Sequence, residues 1–429
     1  MALAVLPFGL APTSTRALDL SECIQRALDR SPDLAYLSAD LAAANAKLEE
    51  ARAGRFGAPE YTQIFGLVNR AHGDPVYSPD SKNAILTGLG PFTRLRLAID
   101  VPIWTFGKIS SAIDAAEHGV DGIAANGRSK RADVVLDTKR LYYQLALTQQ
   151  LTLVLRDLLD TMDKAVKKAT NADLLKLRIG RAKLAKGLYE VEASVELTKS
   201  ALARAIGGEA TLQIADQKIE PISAVLEPLD AYVAGALRDR PEQQALASGI
   251  EAQRATVDME RAAYYPTIAL ATGVELARAT NRDEQVNPFA WDEFNFIRPI
   301  AALALRWNLN FWLTHGRVDE ADAGLVRLEA KRAEAASGLA LEVRRAYVDV
   351  DRARRTMIAA EDGSKAGRAL MVSAVSNFDL GFGEARDLFD ALTSYAESHA
   401  DYLHAIYDYN VALGALSRAA GREVTGLVY

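Results

Sequence analysis

Hydrophobic and polar positions follow two periods along this chain. Leu388, Leu392, Tyr395, His399, Tyr402, Ile406, Tyr409 and Leu413 recur every three or four positions. That is the spacing of one helical face packed in a coiled coil. The same spacing runs through 172–206, so return helices are expected there and over 384–420. Between Lys108 and about Lys168 there is no proline, and Ala, Leu, Lys and Asp dominate. A continuous helix of that length spans roughly 80–90 Å at 1.5 Å per residue. Shorter helices are expected from Ser21 to Ala53, with Ser21 as N-cap beside Glu22, and from Pro228 to just before Tyr264-Tyr265-Pro266.

The second period is two. Leu95, Leu97, Ile99, Val101 and Ile103 occupy odd positions, while Arg94, Arg96 and Asp100 occupy even ones. Further on, Leu303, Leu305, Trp307, Leu309 and Phe311 alternate with Ala304, Arg306, Asn308 and Asn310. Two preceding strands, about 61–69 and 267–276, complete two hairpins with the alternating strands at about 92–103 and 299–311. Such alternation over 9 to 11 residues suits a tilted barrel strand, apolar toward lipid and polar toward a wet lumen. An ordinary sheet with one solvated face alternates in the same way. In a bilayer the strands must close, and four are too few, so the membrane alternative requires an oligomer. On that view Arg94, Arg96, Asp100, Arg306, Asn308 and Asn310 line the lumen. The hairpin loops carry the turn signals Gly73-Asp74-Pro75, Ser78-Pro79-Asp80 and Asn287-Pro288. Phe289, Trp291, Phe294 and Phe296 near the second loop suit either a membrane interface or loop packing.

The pattern also repeats. Ala27-Leu28 and Pro32 recur as Ala236-Leu237 and Pro241, and Thr105, Gly107 and Lys108 as Thr314, Gly316 and Arg317, at an offset of 209. Lys139-Arg140-Leu141-Tyr142 recurs as Arg344-Arg345-Ala346-Tyr347 at 205. Asp173-Leu174, Ala201-Leu202 and Gly207 recur as Asp387-Leu388, Ala415-Leu416 and Gly421 at 214. Two copies of a helix, hairpin, long helix and return helix are therefore expected, over 18–210 and 228–429, joined by a linker at 211–227. The fold class is mainly α with a small β part.

Composition narrows the functions. The net charge is −6, from 50 basic and 56 acidic residues mixed along 429, with no basic stripe to suit nucleic acid. No window reaches the 18 or so apolar residues of a membrane-spanning helix, so any bilayer entry is by strands or a surface helix. The lone Cys23 excludes an intramolecular disulfide and reads as a small apolar side chain on a helix. Residues 1–17 resemble the remnant of a secretory signal, or else a frayed end. Five histidines show no zinc-like pairing, and neither a nucleophile elbow nor a phosphate-binding loop occurs. No enzyme and no cofactor are expected.

Several stretches carry a family resemblance. The opening Leu20-Ser21-Glu22-Cys23-Ile24-Gln25-Arg26-Ala27-Leu28 with Ser31-Pro32, Glu49-Glu50-Ala51-Arg52-Ala53, and the strand exit Pro102-Ile103-Trp104-Thr105-Phe106-Gly107-Lys108 resemble TolC-like outer-membrane efflux proteins. So do Arg261-Ala262-Ala263-Tyr264-Tyr265-Pro266, Asn310-Phe311 through Gly316-Arg317, and Asn377-Phe378-Asp379-Leu380-Gly381. The resemblance implies a homotrimer in the outer membrane of a Gram-negative bacterium. Its 12-stranded barrel would meet outer-membrane lipid and continue into a periplasmic α-helical barrel. It further implies an exit duct for efflux or type I secretion, with a periplasmic adaptor and an inner-membrane transporter as partners. A coiled-coil scaffold or adaptor without a pore is the other reading of the helices.

The resemblance also points to a gate. The family carries two aspartates, three apart, beyond a glycine at the second-repeat tip, and Asp387 and Asp390 match them after Gly381. Ordinary solvated helix acids are the alternative. Gly381, Phe382, Gly383 and the repeat-related Asp173 mark the tip and its adaptor contact. Gly383 and Phe378 stand where the family's archetype has a closing arginine and tyrosine, and Lys167 stands where the first-repeat tip has glycine.

Overall fold

The computed structural model describes residues 17–72, 82–83, 88–169, 171–208, 213–216, 218–283 and 292–424. Residues 1–16, most of 73–87 and 284–291 lie outside that set. The signal-like start, the Gly73 and Ser78 turns, Asn287-Pro288, Phe289 and Trp291 fall among them.

In chain order the elements are α1 (Leu20–Arg30), α2 (Pro32–Ala53), β1 (Pro59–Val68), the two-residue β2 (Ala71–His72) and β3 (Lys82–Asn83), and β4 (Gly90–Trp104). Then come α3 (Lys108–Lys168), α4 (Asn171–Ala205), α5 (Leu229–Asp239), α6 (Pro241–Ala262), β5 (Thr267–Ala279), β6 (Phe296–Arg306), α7 (Phe311–Asp379) and α8 (Ala385–Ala420). The order helix pair, two long strands, long helix, return helix thus occurs twice. No described helix is long and apolar enough to cross a membrane.

Three expectations change. The expected helix from Ser21 to Ala53 is two helices, and so is its partner before Tyr264. Ser31 (ψ 127°) and Arg240 (ψ 134°) are extended, because a following proline crowds the helical conformation out. Pro32 and Pro241 then open α2 and α6, where a missing N–H costs nothing. The N-cap of α1 is Asp19, not Ser21: Asp19 accepts from the Glu22 N–H at 2.7 Å, and Glu22 reaches back to complete a capping box. Last, β6 ends at Arg306. Asn308 and Asn310 leave the sheet, where the Asn308 side chain accepts the Asn310 N–H and the Asn310 carbonyl starts α7 by accepting from Leu313.

The chain forms two compact units, each drawing on both halves of the sequence. One, Leu41–Ile123 with Leu246–Lys331, holds the sheet. Its strands run β1-β4-β5-β6, all antiparallel, so the two expected hairpins join through β4 and β5. The other unit takes the chain up to Asp40, Ala124–Ala245 and from Arg332 onward. Its core is layered between helices. Tyr142, Leu145, Leu202, Ile206 and Leu403 form one cluster with the fully buried Cys23, and Tyr232, Val343, Val350, Leu413 and Leu416 form another. The predicted α8 stripe supplies much of it, since Leu388, Leu392, Ile406, Tyr409 and Leu413 are all buried.

Candidate functional sites: an acidic helix tip and a two-faced sheet

The tip of the helical unit is built by a glycine stop. Gly381 adopts φ +81°, and the α7 end closes with Gly381 N–H donating to Phe378 O at 3.1 Å and Phe382 N–H to Asn377 O at 2.9 Å. This is the glycine-dependent Schellman arrangement, which needs a left-handed residue without a Cβ penalty. Gly383 then folds back on the helix end, donating to Asn377 O at 3.0 Å. A Cβ there would lie 2.9 Å from Phe378 N and 3.1 Å from Asn377 C. Those are backbone atoms, so a longer side chain at 383 does not fit unless the α7 end shifts. Gly383→Ala should loosen the tip by roughly 1 kcal/mol, the order of a local overpacking. Faster proteolysis at 377–385 than in the parent reads it, and unchanged cleavage would refute the tight contact.

Helix α8 then starts with Asp387 and Asp390 exposed, while Ala385, Leu388 and Leu392 turn inward. Beneath them Leu158, Met162 and Ala165 of α3 meet Leu177 and Leu184 of α4. Gly180 leaves the space that the Phe389 ring fills: a Cβ there would sit 2.4 Å from it. Arg386 approaches Asp390 at 3.6 Å, and among the described residues nothing pairs with Asp387. At the repeat-related place Asp173 lies 3.6 Å from Lys176, so that site is balanced within one turn. Phe382 projects at 86% exposure. A link that the sequence did not reveal joins the two tips: Lys168 donates to Asp379 at 2.7 Å.

The sheet separates its chemistry by face. Register puts Leu97 of β4 opposite Tyr61 of β1 and Val274 of β5, with Leu270 opposite Val101 and Leu303. Tyr61, Phe65, Leu97, Ile103, Leu270, Leu303 and Leu305 are exposed large apolar residues on this one face. The other face carries Arg94, Arg96, Asp100, Glu275, Arg298 and Arg306, with Arg306 bonded to Asp100 and Arg298 to Glu275. Where strands meet helices, aromatics gather: Phe106 stacks on Tyr265 at 5.1 Å, Trp104 meets Phe106 at 6.0 Å, and Trp307 donates to Tyr264 O at 3.1 Å. At the opposite end Phe294 packs edge-on against Phe92 at 5.0 Å and Phe296 lies under Arg94 and Arg298.

Residues 233–422 match the family model for outer membrane efflux proteins. The chain carries an outer membrane efflux protein domain. An outer-membrane location and a part in transport come with that domain. Likeness of fold to solved structures extends beyond the matched residues. The outer membrane protein VceC from Vibrio cholerae superimposes with a TM-score of 0.73 at 17% identity, covering 94% of this chain and 96% of that one. The open-state MtrE outer membrane channel of Neisseria gonorrhoeae gives 0.73 at 17%, over 94% and 89%. A membrane protein from Pseudomonas aeruginosa gives 0.77 at 16%, over 95% and 91%. At such identities the likeness is one of fold, mostly helical with a small sheet. No curated protein sequence matches the chain.

Sequence reasoning missed a buried ion cluster in the helical unit. Arg240, 2% exposed, donates to both Glu242 oxygens and to Glu342 at 2.7 Å. Arg418 bonds Asp133 at 2.6 Å and lies 2.8 Å from Glu242, while Ser129 donates to Glu242 at 2.7 Å. Burial alone would raise the Glu242 carboxyl, but hydrogen bonds from Arg240 and Ser129 outweigh it and hold it at about 2. The only signal was an arginine set just before Pro241. A second missed group is His399, which shares a 2.8 Å hydrogen bond with Ser364 and stacks on Tyr395 at 5.3 Å. Burial, aided by the charge of Arg368, lowers its pKa.

Proposed function

We propose that this chain is the outer-membrane exit duct of a tripartite efflux pump or type I secretion system. It acts as a passive trimeric channel that docks to a periplasmic adaptor and an inner-membrane transporter. The observation that carries this is the sheet: one continuous apolar face is exposed, and β1 and β6 each pair on one side only. In a bilayer every unpaired backbone group costs several kcal/mol, so the β1 and β6 edges must find partners. Four strands per copy are below the eight or so needed to close, whereas three copies supply twelve. The aromatics at Trp104, Tyr265 and Trp307 suit the girdle that anchors such barrels at the membrane surface.

Asp387 and Asp390 fit a gate at the periplasmic mouth. They lie three apart and on one helix face, and three copies would bring six carboxylates together. Exposed Phe382, between Gly381 and Gly383, fits the adaptor contact, as does Asp173 at the start of α4. The bond between Lys168 and Asp379 ties both tips within one subunit and stands in for part of the closing network that Gly383 and Phe378 cannot make.

Planar-bilayer recordings of the purified oligomer test the whole reading. A cation-preferring channel is expected, and Asp387→Asn/Asp390→Asn should bring its reversal potential in a salt gradient most of the way to zero. An unchanged preference removes the gate and leaves the duct. A water-soluble monomer without conductance removes the duct.

A further inference from the structure

The polar face of the sheet holds more guanidinium than carboxylate in a single cross-strand row. Register sets Thr62, Arg96, Glu275 and Arg298 side by side across β1, β4, β5 and β6. Arg94 precedes Arg96 by two residues along β4 and lies on the same face. Glu275, whose side chain is 16% exposed, is already engaged: Arg298 donates to it at 2.6 Å and Arg94 Nε lies 3.9 Å away. Asp100, the next carboxylate on β4, is bonded by Arg306.

Two of the cations keep unspent donors. Arg94 is pinned by a 2.7 Å bond to the Glu293 carbonyl and by the rings of Phe294 and Phe296, each 5.9 Å from its centre. Its Nε–H is nevertheless buried and meets no hydrogen-bond acceptor. A buried donor left in that state costs about 1–3 kcal/mol unless a ligand or water completes it. Arg96 is exposed, and among the described residues it makes neither an ion pair nor a hydrogen bond. Beside it the floor is small: a Cβ on Gly273 would come within 2.5 Å of the Leu97 carbonyl oxygen, so β4 and β5 press together with no side chain above them. That leaves a recess of about 70 Å³ lined by Arg96, Asp100, Gly273, Glu275 and Ile300.

We propose that this row is an oxyanion-binding subsite, with Arg96 as its primary contact and Arg94 a neighbouring cation on the same face of β4 outside the recess. The planar guanidinium fork matches phosphate, sulfonate or carboxylate oxygens in a way a point charge does not. Binding needs only the sheet. Its consequence, a barrel that retains anionic groups of passing solutes, rests on the duct reading above.

Inorganic pyrophosphate is the probe. With the full-length chain in detergent, its ³¹P resonance should broaden on titration, and Arg96→Gln should weaken that interaction roughly three- to tenfold, as loss of one exposed contact charge implies. Arg96→Lys should fall between. In bilayers pyrophosphate should reduce the parent current, with the same dependence on Arg96. Absence of broadening, or equal broadening by Arg96→Gln, overturns the subsite. Broadening that depends on Arg96 in a protein that forms no channel supports the subsite and counts against the duct.

Discussion

Arg240→Ala should destabilise the helical unit by about 3 kcal/mol, the loss expected when one member of a buried ion cluster is removed. Arg240 is 2% exposed, and its removal strips the bidentate partner from Glu242 and the bonded partner from Glu342. Arg418 and Ser129 still reach Glu242, which keeps the loss at the lower end of such cases. Urea unfolding followed by far-ultraviolet circular dichroism measures it, and Arg240→Met/Glu242→Gln should recover part of the loss, because the more buried Glu242 charge goes with its partner and only the half-exposed Glu342 is left without one. A shift of less than 1 kcal/mol in Arg240→Ala would show the cluster to be dispensable. The cluster also sets an acid limit. The Glu242 carboxyl lies at about 2 in the folded state against an ordinary 4.5. Its contribution is therefore complete above pH of about 4.5 and is lost as pH falls toward about 2. In Arg240→Ala that acid-dependent loss of stability should shrink.

Leu303→Arg should block assembly in the outer membrane while Ala302→Arg is tolerated. The two are neighbours on β6, yet register puts Leu303, 70% exposed, on the apolar face and Ala302 on the face that carries the arginines. A lipid-facing arginine costs about 2 kcal/mol per subunit or more near mid-bilayer, whereas a lumen-facing one stays in water. Outer-membrane yield and a heat-modifiable oligomer band on gels read the difference. Equal loss for both substitutions would mean the apolar face does not meet lipid.

The sequence carried the local features well. Period-two alternation at Leu95 through Ile103 and the long spacing-of-four stripe on α8 each reflect one element's own two faces, so neighbouring residues suffice to show them. The α3 span of Lys108–Lys168 likewise needs only the absence of breakers. Two local features were legible but misjudged: Pro32 and Pro241 break helices by the same rule that ends α6 before Pro266, and Asp19 outcompetes Ser21 as cap because its carboxylate reaches the Glu22 N–H. At the candidate site, Asp387, Asp390 and Gly381 were named through the family resemblance, and spacing adds only that i and i+3 share a helix face.

What the chain alone determined is therefore the set of elements, their two-sided character and the residues at each tip. Only the tertiary structure decided which elements meet. Pairing of β4 with β5, the bond from Lys168 to Asp379, and the gathering of Arg240, Glu342 and Arg418 join residues far apart in the chain. Such contacts leave no periodic trace, because their free energy arises from burial and charge pairing that exist only once the helices and strands have packed.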